Sequence, residues 1–173
     1  MRRSRIGLWN KVRLCRYCCF IFHIQIKKVT RRKIKVTNEK IGIVVSDFNA
    51  EITHIMEKLA NEHVNFLGGQ VVKTIHVPGA FDMPLAVKKL VEDANVDGVV
   101  TLGVVIEGDT DHDTIVAQNA ARKITDLSVG FNKPVSLGIS GPKMSRADAV
   151  KRLDGYAKRS VESCFKMLKA MKA

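Results

Sequence analysis

Hydrophobic and polar positions follow two periodicities from about residue 40 onward. Four apolar runs are typical of strands, at residues 41–46, 70–77, 98–106 and 135–140. Between and after them, apolar residues recur at helical spacing and predict helices at residues 50–66, 84–94, 114–129 and 146–172. The pattern therefore predicts four strand–helix units.

The predicted helices carry residues that commonly begin or end a helix. Gly68 and Gly69 are expected to stop the first helix, and Gly130 to close the third. Ser145 is expected to cap the N-terminus of the last helix. The apolar positions expected to face the core include Ile52, Ile55, Met56, Leu85, Val87, Leu90, Ile115, Ala120, Ile124, Val150, Val161 and Leu168.

The strand runs consist almost entirely of Val, Ile and Leu. Such continuous runs are typical of parallel strands that are buried on both faces. Right-handed connections then place the helices on both sides of the sheet. The sequence therefore predicts an α/β fold, with a four-stranded parallel sheet flanked by helices.

Composition divides the chain into two parts. The length of 173 residues and the hydrophobic content of 46% fit one domain with a core. The formal net charge of +12 arises in residues 1–40, which contain 13 Lys and Arg and a single acid, Glu39, whereas the remainder has 16 basic and 16 acidic residues. We interpret residues 1–39 as a basic extension, either disordered or the result of a start assigned upstream of the true one, and residues 40–173 as the domain. Nucleic-acid binding is not expected of the folded domain.

The basic extension contains one short apolar run, at residues 17–26. The run is too short to span a bilayer as a helix, and no small-residue cleavage site follows it, which disfavours a secretory signal. Cys15 and Cys18, with His23 nearby, resemble half of a zinc site, but the second half is missing. We expect no metal and no membrane association. Because the domain has no paired cysteines, we expect a cytoplasmic location.

Three polar turns follow the first three predicted strands: SDFNAE, VPGAFDMP and EGDTDH. The carboxyl ends of parallel strands meet at one edge of the sheet, where open α/β folds bind ligands. In the third turn, Gly108, Asp109 and Thr110 precede a helix whose free N–H groups and dipole suit a phosphate. His112 follows, and histidine exchanges protons readily near neutral pH. A phosphate bound at this turn beside a histidine that can transfer protons suggests an enzyme.

Six stretches of residues 40–173 occur together in one order: VVSDFN, VPGAFDMPLAVKKL, GVVIEGDTDHDTIV, NAARKITDLS, KPVSLGISGP and VKRLDGYAKR. This combination resembles the lumazine synthase family, and its archaeal branch in particular. The resemblance implies a flavodoxin-like three-layer sandwich and a transferase of riboflavin biosynthesis.

The reaction implied by the resemblance condenses 5-amino-6-(D-ribitylamino)uracil with 3,4-dihydroxy-2-butanone 4-phosphate. It forms 6,7-dimethyl-8-ribityllumazine through an imine and releases phosphate and water. No cofactor is implied. Much of the catalysis is expected to come from holding the two substrates in register, which lowers the barrier through entropy.

The resemblance implies contacts for the pyrimidine and its ribityl chain. Phe48 matches the aromatic residue that stacks on the pyrimidine ring, although the residues alone favour a core phenylalanine. Ala80, Phe81 and Asp82 match the segment that holds the ribityl chain, where many members have Glu instead of Asp.

The third and fourth strands are expected to contribute further contacts. Val104, Val105 and Ile106 match the strand end whose backbone meets the pyrimidine. Leu137 stands where bacterial relatives often present Phe from the adjoining subunit, so an aliphatic contact replaces an aromatic one.

The resemblance also assigns the residues around the phosphate. His112 matches the catalytic histidine, and Asp109 and Thr110 match the phosphate-contacting pair. Arg152 matches the basic residue that completes the phosphate site, with a solvated helix charge as the alternative. Without the resemblance, a lone histidine such as His112 is more often structural. The remaining histidines of the domain are interpreted as structural or surface residues: His54, His63 and His76.

The resemblance implies self-association. Active sites are expected between the subunits of a pentamer, and twelve pentamers form a hollow 60-subunit shell in many members. Two alternatives stay open: an archaeal-type riboflavin synthase, which the GDTDH turn disfavours, and a catalytically inert flavin-binding shell protein, which His112 and Arg152 disfavour. A third is nucleic-acid binding by the basic extension.

Overall fold

The computed structural model describes residues 38–173. Residues 1–37 lie outside the described residues. The predictions about the apolar run, the cysteine motif and the charge of the basic extension therefore fall outside the described part of the chain. Within residues 38–173, strands and helices alternate in the order β1 (Lys40–Ser46), α1 (Ala50–Phe66), β2 (Gln70–Val77), α2 (Met83–Val91), β3 (Gly98–Val104), α3 (His112–Phe131), β4 (Val135–Ser140) and α4 (Arg146–Met171). A short 3-10 helix, Ala80–Asp82, precedes α2. None of these helices is long and apolar enough to cross a membrane.

The four strands form one parallel sheet in the order β2-β1-β3-β4. Helices α1 and α4 pack together on one face, and α2 and α3 on the other. The predicted α/β fold, a flavodoxin-like three-layer sandwich, is confirmed.

Alternate residues of the central strands belong to different apolar layers. In β1, Ile43 and Val45 pack beneath α1 and α4, whereas Val44 packs beneath α2 and α3. All three side chains are fully buried. Because both faces of the strand are covered, most positions are apolar, which explains the continuous hydrophobic run; Ser46 is the buried polar exception in β1.

The helix ends differ partly from the sequence predictions. Ser145 does cap α4, since its Oγ accepts a hydrogen bond of 3.1 Å from the Asp148 N–H. The prediction that Gly130 closes α3 is wrong, because the helix continues to Phe131. Asn132 follows it in the left-handed conformation, with φ of 51°. Asparagine tolerates this conformation better than most residues, so it ends the helix in place of glycine.

Several apolar positions expected in the core are exposed in the single chain. Leu85 is 78% exposed and Ile115 is 61% exposed, while Ile55 and Val150 are about half exposed. Helical spacing identifies an apolar stripe but does not locate its centre, so residues at its edge turn outward. The core expectation for these positions is wrong, and the outer faces of the helices carry apolar surface.

The start of β1 is joined to the end of the chain. Glu39 is buried, and its carboxylate accepts a hydrogen bond of 2.7 Å from the Lys172 Nζ. This pair raises the pKa of Lys172 above its ordinary value. The folded domain thus includes Glu39, directly before β1.

We predict that position 138 tolerates no side chain. A Cβ atom there would overlap the carbonyl oxygen of Thr101 and lie 2.9 Å from the Ser160 Oγ. Gly138→Ala should lower the free energy of unfolding by roughly 1–3 kcal/mol, because the backbone of β3 has to move. Urea denaturation followed by circular dichroism measures the change.

Gly130→Ala is the matched control, because a Cβ there meets open space within α3. It should raise the free energy of unfolding by roughly 0.5–1 kcal/mol through helix propensity. Equal stability of the two variants would contradict the close approach of β4 to β3.

Candidate active site

The turn after β1 is bonded to the end of the neighbouring strand β2. The Asp47 N–H donates to the Val77 carbonyl oxygen at 2.8 Å, and the Phe48 N–H donates to the Pro78 carbonyl oxygen at 2.9 Å. These bonds extend the parallel pairing of β1 and β2 beyond the strands themselves. Two of the three turns predicted to carry chemistry therefore lie side by side.

Asn49 connects the same turn to the third strand. Its side-chain Nδ2 donates a hydrogen bond of 3.1 Å to the carbonyl oxygen of Val104, the last residue of β3. Its backbone is left-handed, with φ of 63°, and its carbonyl oxygen accepts the first N–H bond of α1 from Ile52. An asparagine can combine this conformation with an amide donor. The three turns thus form one continuous edge.

A cavity of about 430 Å³ opens at this edge, which is within the range of small-molecule sites. Its lining is mainly apolar and draws on all three turns and on the start of α3. The described residues that line it are Phe48, Gly79, Ala80, Phe81, Val104, Val105, Ile106, Gly108, Thr110, His112, Asp113 and Val116.

Two aromatic side chains stand in the cavity wall with much of their surface uncovered. Phe48 is 68% exposed and Phe81 is 57% exposed. The alternative that Phe48 belongs to the core is therefore wrong. A ring held at the end of a buried strand presents a flat apolar face on which a heteroaromatic ligand can stack.

His112 is the first residue of α3, and it is exposed at the cavity. The next residue, Asp113, is buried, and its Oδ2 accepts a hydrogen bond of 3.0 Å from the Lys143 N–H. That bond lowers the pKa of Asp113 below its ordinary value. The carboxylate therefore ties the turn after β4 to the start of α3 and positions the helix that carries His112.

A second, polar cavity of about 290 Å³ adjoins the first and shares Gly108, Thr110 and Asp113 with it. Asp109 and Lys143 also line it. Four of the described lining residues are acids, and Lys143 is the one basic residue among them. The described part of the chain thus surrounds the predicted phosphate turn mostly with negative charge.

Three predicted site residues line neither of these two cavities of the single chain. Asp82 directs its Oδ2 to the Gly79 N–H, 3.0 Å away. Leu137 is half exposed on β4 and lines a separate cavity of about 130 Å³. Arg152 is exposed on α4, which packs on the opposite face of the sheet from α3. Their roles stay predictions.

Sequence reasoning missed three residues that the fold brings to the site. Val116 lies four residues after His112 on α3, so helical spacing could have identified it, whereas Asp113 directly follows His112 and is recognised only by its contact with Lys143. Lys143 comes from the turn after β4, thirty residues away from Asp113. No local pattern indicates that contact.

The family model for 6,7-dimethyl-8-ribityllumazine synthase matches residues 38–172. Three similar relatives have the name 6,7-dimethyl-8-ribityllumazine synthase. The protein from Methanoculleus marisnigri is 59% identical, over 76% of this chain and 97% of its own. The one from Methanocaldococcus jannaschii is 59% identical, over 77% of this chain and 94% of its own. The one from Archaeoglobus fulgidus is 57% identical, over 77% of this chain and 92% of its own.

The family match spans the whole strand–helix arrangement that builds the cavity. The motifs that carried the resemblance in the sequence lie within the same residues. The chain therefore belongs to the 6,7-dimethyl-8-ribityllumazine synthase family.

Proposed function

We propose that the protein is a 6,7-dimethyl-8-ribityllumazine synthase. It condenses 5-amino-6-(D-ribitylamino)uracil with 3,4-dihydroxy-2-butanone 4-phosphate and releases phosphate and water. The observation that carries this proposal is the cavity at the sheet edge, where Phe48, His112 and the turn at residues 108–110 lie together. The names of the relatives support the same reaction.

The pyrimidine ring binds between an aromatic face and a strand end. Phe48 offers its exposed ring for stacking. The backbone beyond β3 alternates in direction: the N–H groups of Val105 and Glu107 donate to Ser140 and Met144, on the side of β4. Ile106, between them, lines the cavity, and its N–H and carbonyl bind the ring's amide groups.

The ribityl chain lies along the turn after β2. Ala80 and Phe81 line the cavity there. Asp82 uses Oδ2 to accept the Gly79 N–H, which leaves Oδ1 to accept hydrogen bonds from sugar hydroxyls. The bond to Gly79 also fixes the carboxylate in place, so that a residue one methylene shorter than Glu still has a defined position.

The phosphate of the second substrate binds at the turn that precedes α3. Residues 108–110 and the first N–H groups of α3 supply donors and the positive end of the helix dipole. His112 lies beside this anchor and moves protons in two steps. It transfers the proton that the attacking amine loses to the hydroxyl that leaves as water, and it assists the elimination of phosphate.

A single chain leaves the phosphate without enough positive charge. The acids Glu107, Asp109, Asp111 and Asp113 line the polar cavity, against Lys143. A phosphate dianion close to several carboxylates is repelled unless further cations compensate them. Arg152 supplies such a cation from a neighbouring copy, because its planar guanidinium binds two phosphate oxygens at once.

The exposed apolar surface favours the same assembly. Leu137 on the edge strand β4 and Leu85 on α2 expose much of their surface in the single chain. A neighbouring copy would bury this surface and would present Leu137 to the substrate from the adjoining subunit. We propose pentamers, which can associate further into a shell of 60 subunits.

The cytoplasm is the proposed location. Cys164, the cysteine within residues 38–173, is free and buried. Burial raises the pKa of its thiol to about 12, so it stays protonated and unreactive. A domain that uses no disulfide is typical of a reducing compartment.

Purified protein should form lumazine from the two substrates faster than the spontaneous reaction does. Absorbance and fluorescence of the product, recorded with phosphate release, measure the rate. Phosphate should appear in step with lumazine, because one is released for each ring closed. A folded, assembled sample that gives no acceleration would contradict the proposal, and riboflavin formed from lumazine alone would indicate a riboflavin synthase.

His112→Asn should lower kcat by roughly tenfold to a hundredfold, because proton transfer is lost while substrate positioning remains. The matched control is His63→Asn, a histidine of α1 that stacks on Phe66 outside the described cavity lining. Assembly and pyrimidine binding should be unchanged in both variants. An unchanged kcat in His112→Asn would remove the proposed role.

Arg152→Ala should raise the KM for the butanone phosphate by roughly tenfold or more, since a hydrogen bond to a charged group contributes about 1.5–3 kcal/mol. Arg159→Ala is the control, because Arg159 is also exposed on α4 and bonds to its own helix at the Gly155 carbonyl oxygen. An effect on pyrimidine affinity alone would contradict the assignment.

A mixing experiment tests whether Arg152 acts from a neighbouring copy. Chains with His112→Asn and chains with Arg152→Ala are unfolded together and reassembled, then assayed at low butanone phosphate. Random assembly should restore roughly a quarter of the sites. Each restored site combines the intact His112 of an Arg152→Ala chain with the intact Arg152 of a His112→Asn chain. If the mixture shows only the average of the two variants, both residues act within one chain.

A further inference from the structure

Two histidines and a carboxylate converge beside the turn that carries Phe48. The Asp47 Oδ1 lies 3.1 Å from the His54 Nε2 and 2.9 Å from the His76 Nδ1. The three ligand atoms all lie within 4.8 Å of one another. None of the three residues is among the described residues that line the substrate cavity. Sequence reasoning interpreted His54 and His76 as structural or surface residues, and the reaction does not use them.

Three rigid elements hold this cluster in place. His76 is on β2 and pairs in register with Val45 of β1. Asp47 follows β1 directly, and its N–H donates to the Val77 carbonyl oxygen at 2.8 Å. His54 stands on α1, the helix that begins after the same turn. His54 is seven residues from Asp47, whereas His76 is 29 residues away, so strand pairing is what brings His76 to the other two.

A second carboxylate orients His76 from behind. The Glu57 Oε2 lies 3.5 Å from the His76 Nε2, while the Nδ1 of the same ring faces Asp47. Histidines that bind metals usually direct their other ring nitrogen at a carboxylate or a carbonyl group, which fixes the ring and the tautomer. Glu57 therefore provides an outer partner of the kind that metal sites use.

From this geometry we propose that Asp47, His54 and His76 bind a divalent transition-metal ion, with Zn²⁺ as the reference. Two imidazole nitrogens and one carboxylate oxygen are a ligand set for Zn²⁺, Co²⁺ or Ni²⁺. With bonds of about 2.0–2.1 Å to the metal, tetrahedral ligand atoms lie about 3.3 Å apart. The two observed distances to Asp47, 3.1 and 2.9 Å, are close to that value, and the two histidine nitrogens lie within 4.8 Å of each other.

The remaining coordination position is filled by water, because the site is open to solvent. The side chains of His54, His76 and Asp47 are each about half exposed. In the metal-free protein, the two histidines compensate Asp47: their hydrogen bonds lower the pKa of Asp47, and Asp47 raises the pKa of His76. A bound cation would balance the negative charge of Asp47 in place of the two histidines. It would also tie α1 and β2 to the residue directly before Phe48.

Isothermal titration of the full chain with Zn²⁺, after removal of metals by a chelator, tests the site. Wild-type protein should bind one ion at this cluster in the low-micromolar range or tighter. The double variant His54→Asn/His76→Asn should bind one ion fewer per chain, and Asp47→Asn should weaken that ion at least tenfold. His63→Asn and Asp126→Asn are matched controls and should bind as the wild type does.

Co²⁺ distinguishes this site from the cysteines at the N-terminus. Cobalt at the cluster should show ligand-field bands without a thiolate-to-metal charge-transfer band, and the double variant should lose those bands. Circular dichroism checks that each variant folds. An unchanged number of bound ions in the double variant, or cobalt spectra with thiolate ligands alone, would overturn the proposal. It is independent of the synthase reaction, since the readout is binding and not turnover.

Discussion

The hydrogen bond from the Asn49 side chain to the Val104 carbonyl oxygen joins the parts of the candidate active site. On one side of it stands Phe48, and on the other the segment that leads to His112. Asn49 also starts α1 in a left-handed conformation, so its side chain is free to reach across instead of capping the helix. A shorter or apolar side chain at this position would leave the ends of β1 and β3 connected only through the sheet.

Charge imposes a second constraint on the site. The start of α3 offers donors and a dipole to an anion, yet carboxylates surround that position and Lys143 is the described cation lining it. The Asp113 carboxylate accepts a hydrogen bond from the turn after β4, which gives a structural reason for an acid at this position. In the proposed enzyme, the phosphate site becomes favourable when a neighbouring copy adds Arg152. Assembly and catalysis are thereby linked in the proposed enzyme.

The sheet and its helices could be predicted closely because their signals are local. Continuous apolar runs indicate strands, and all four were found, although β2, at the edge of the sheet, buries only Val77 and so does not have both faces covered. The misses have equally local causes. Gly130 stays helical because Asn132 supplies the left-handed residue, and Leu85 and Ile115 lie outside the buried part of the stripe. The spacing of apolar residues indicates a helix, but it does not show which side of the helix the neighbouring elements cover.

For this protein, the sequence by itself determined the fold class, the family and the turns that carry Phe48 and His112. These depend on residues close together along the chain or on motifs in a fixed order. Only the tertiary structure decided that Phe48 is exposed, that Arg152 lies away from the cavity of its own chain, and that Asp47 meets two histidines. Each of those facts depends on strand pairing and layer packing, which bring distant residues within a few ångströms and leave no periodic trace in the sequence.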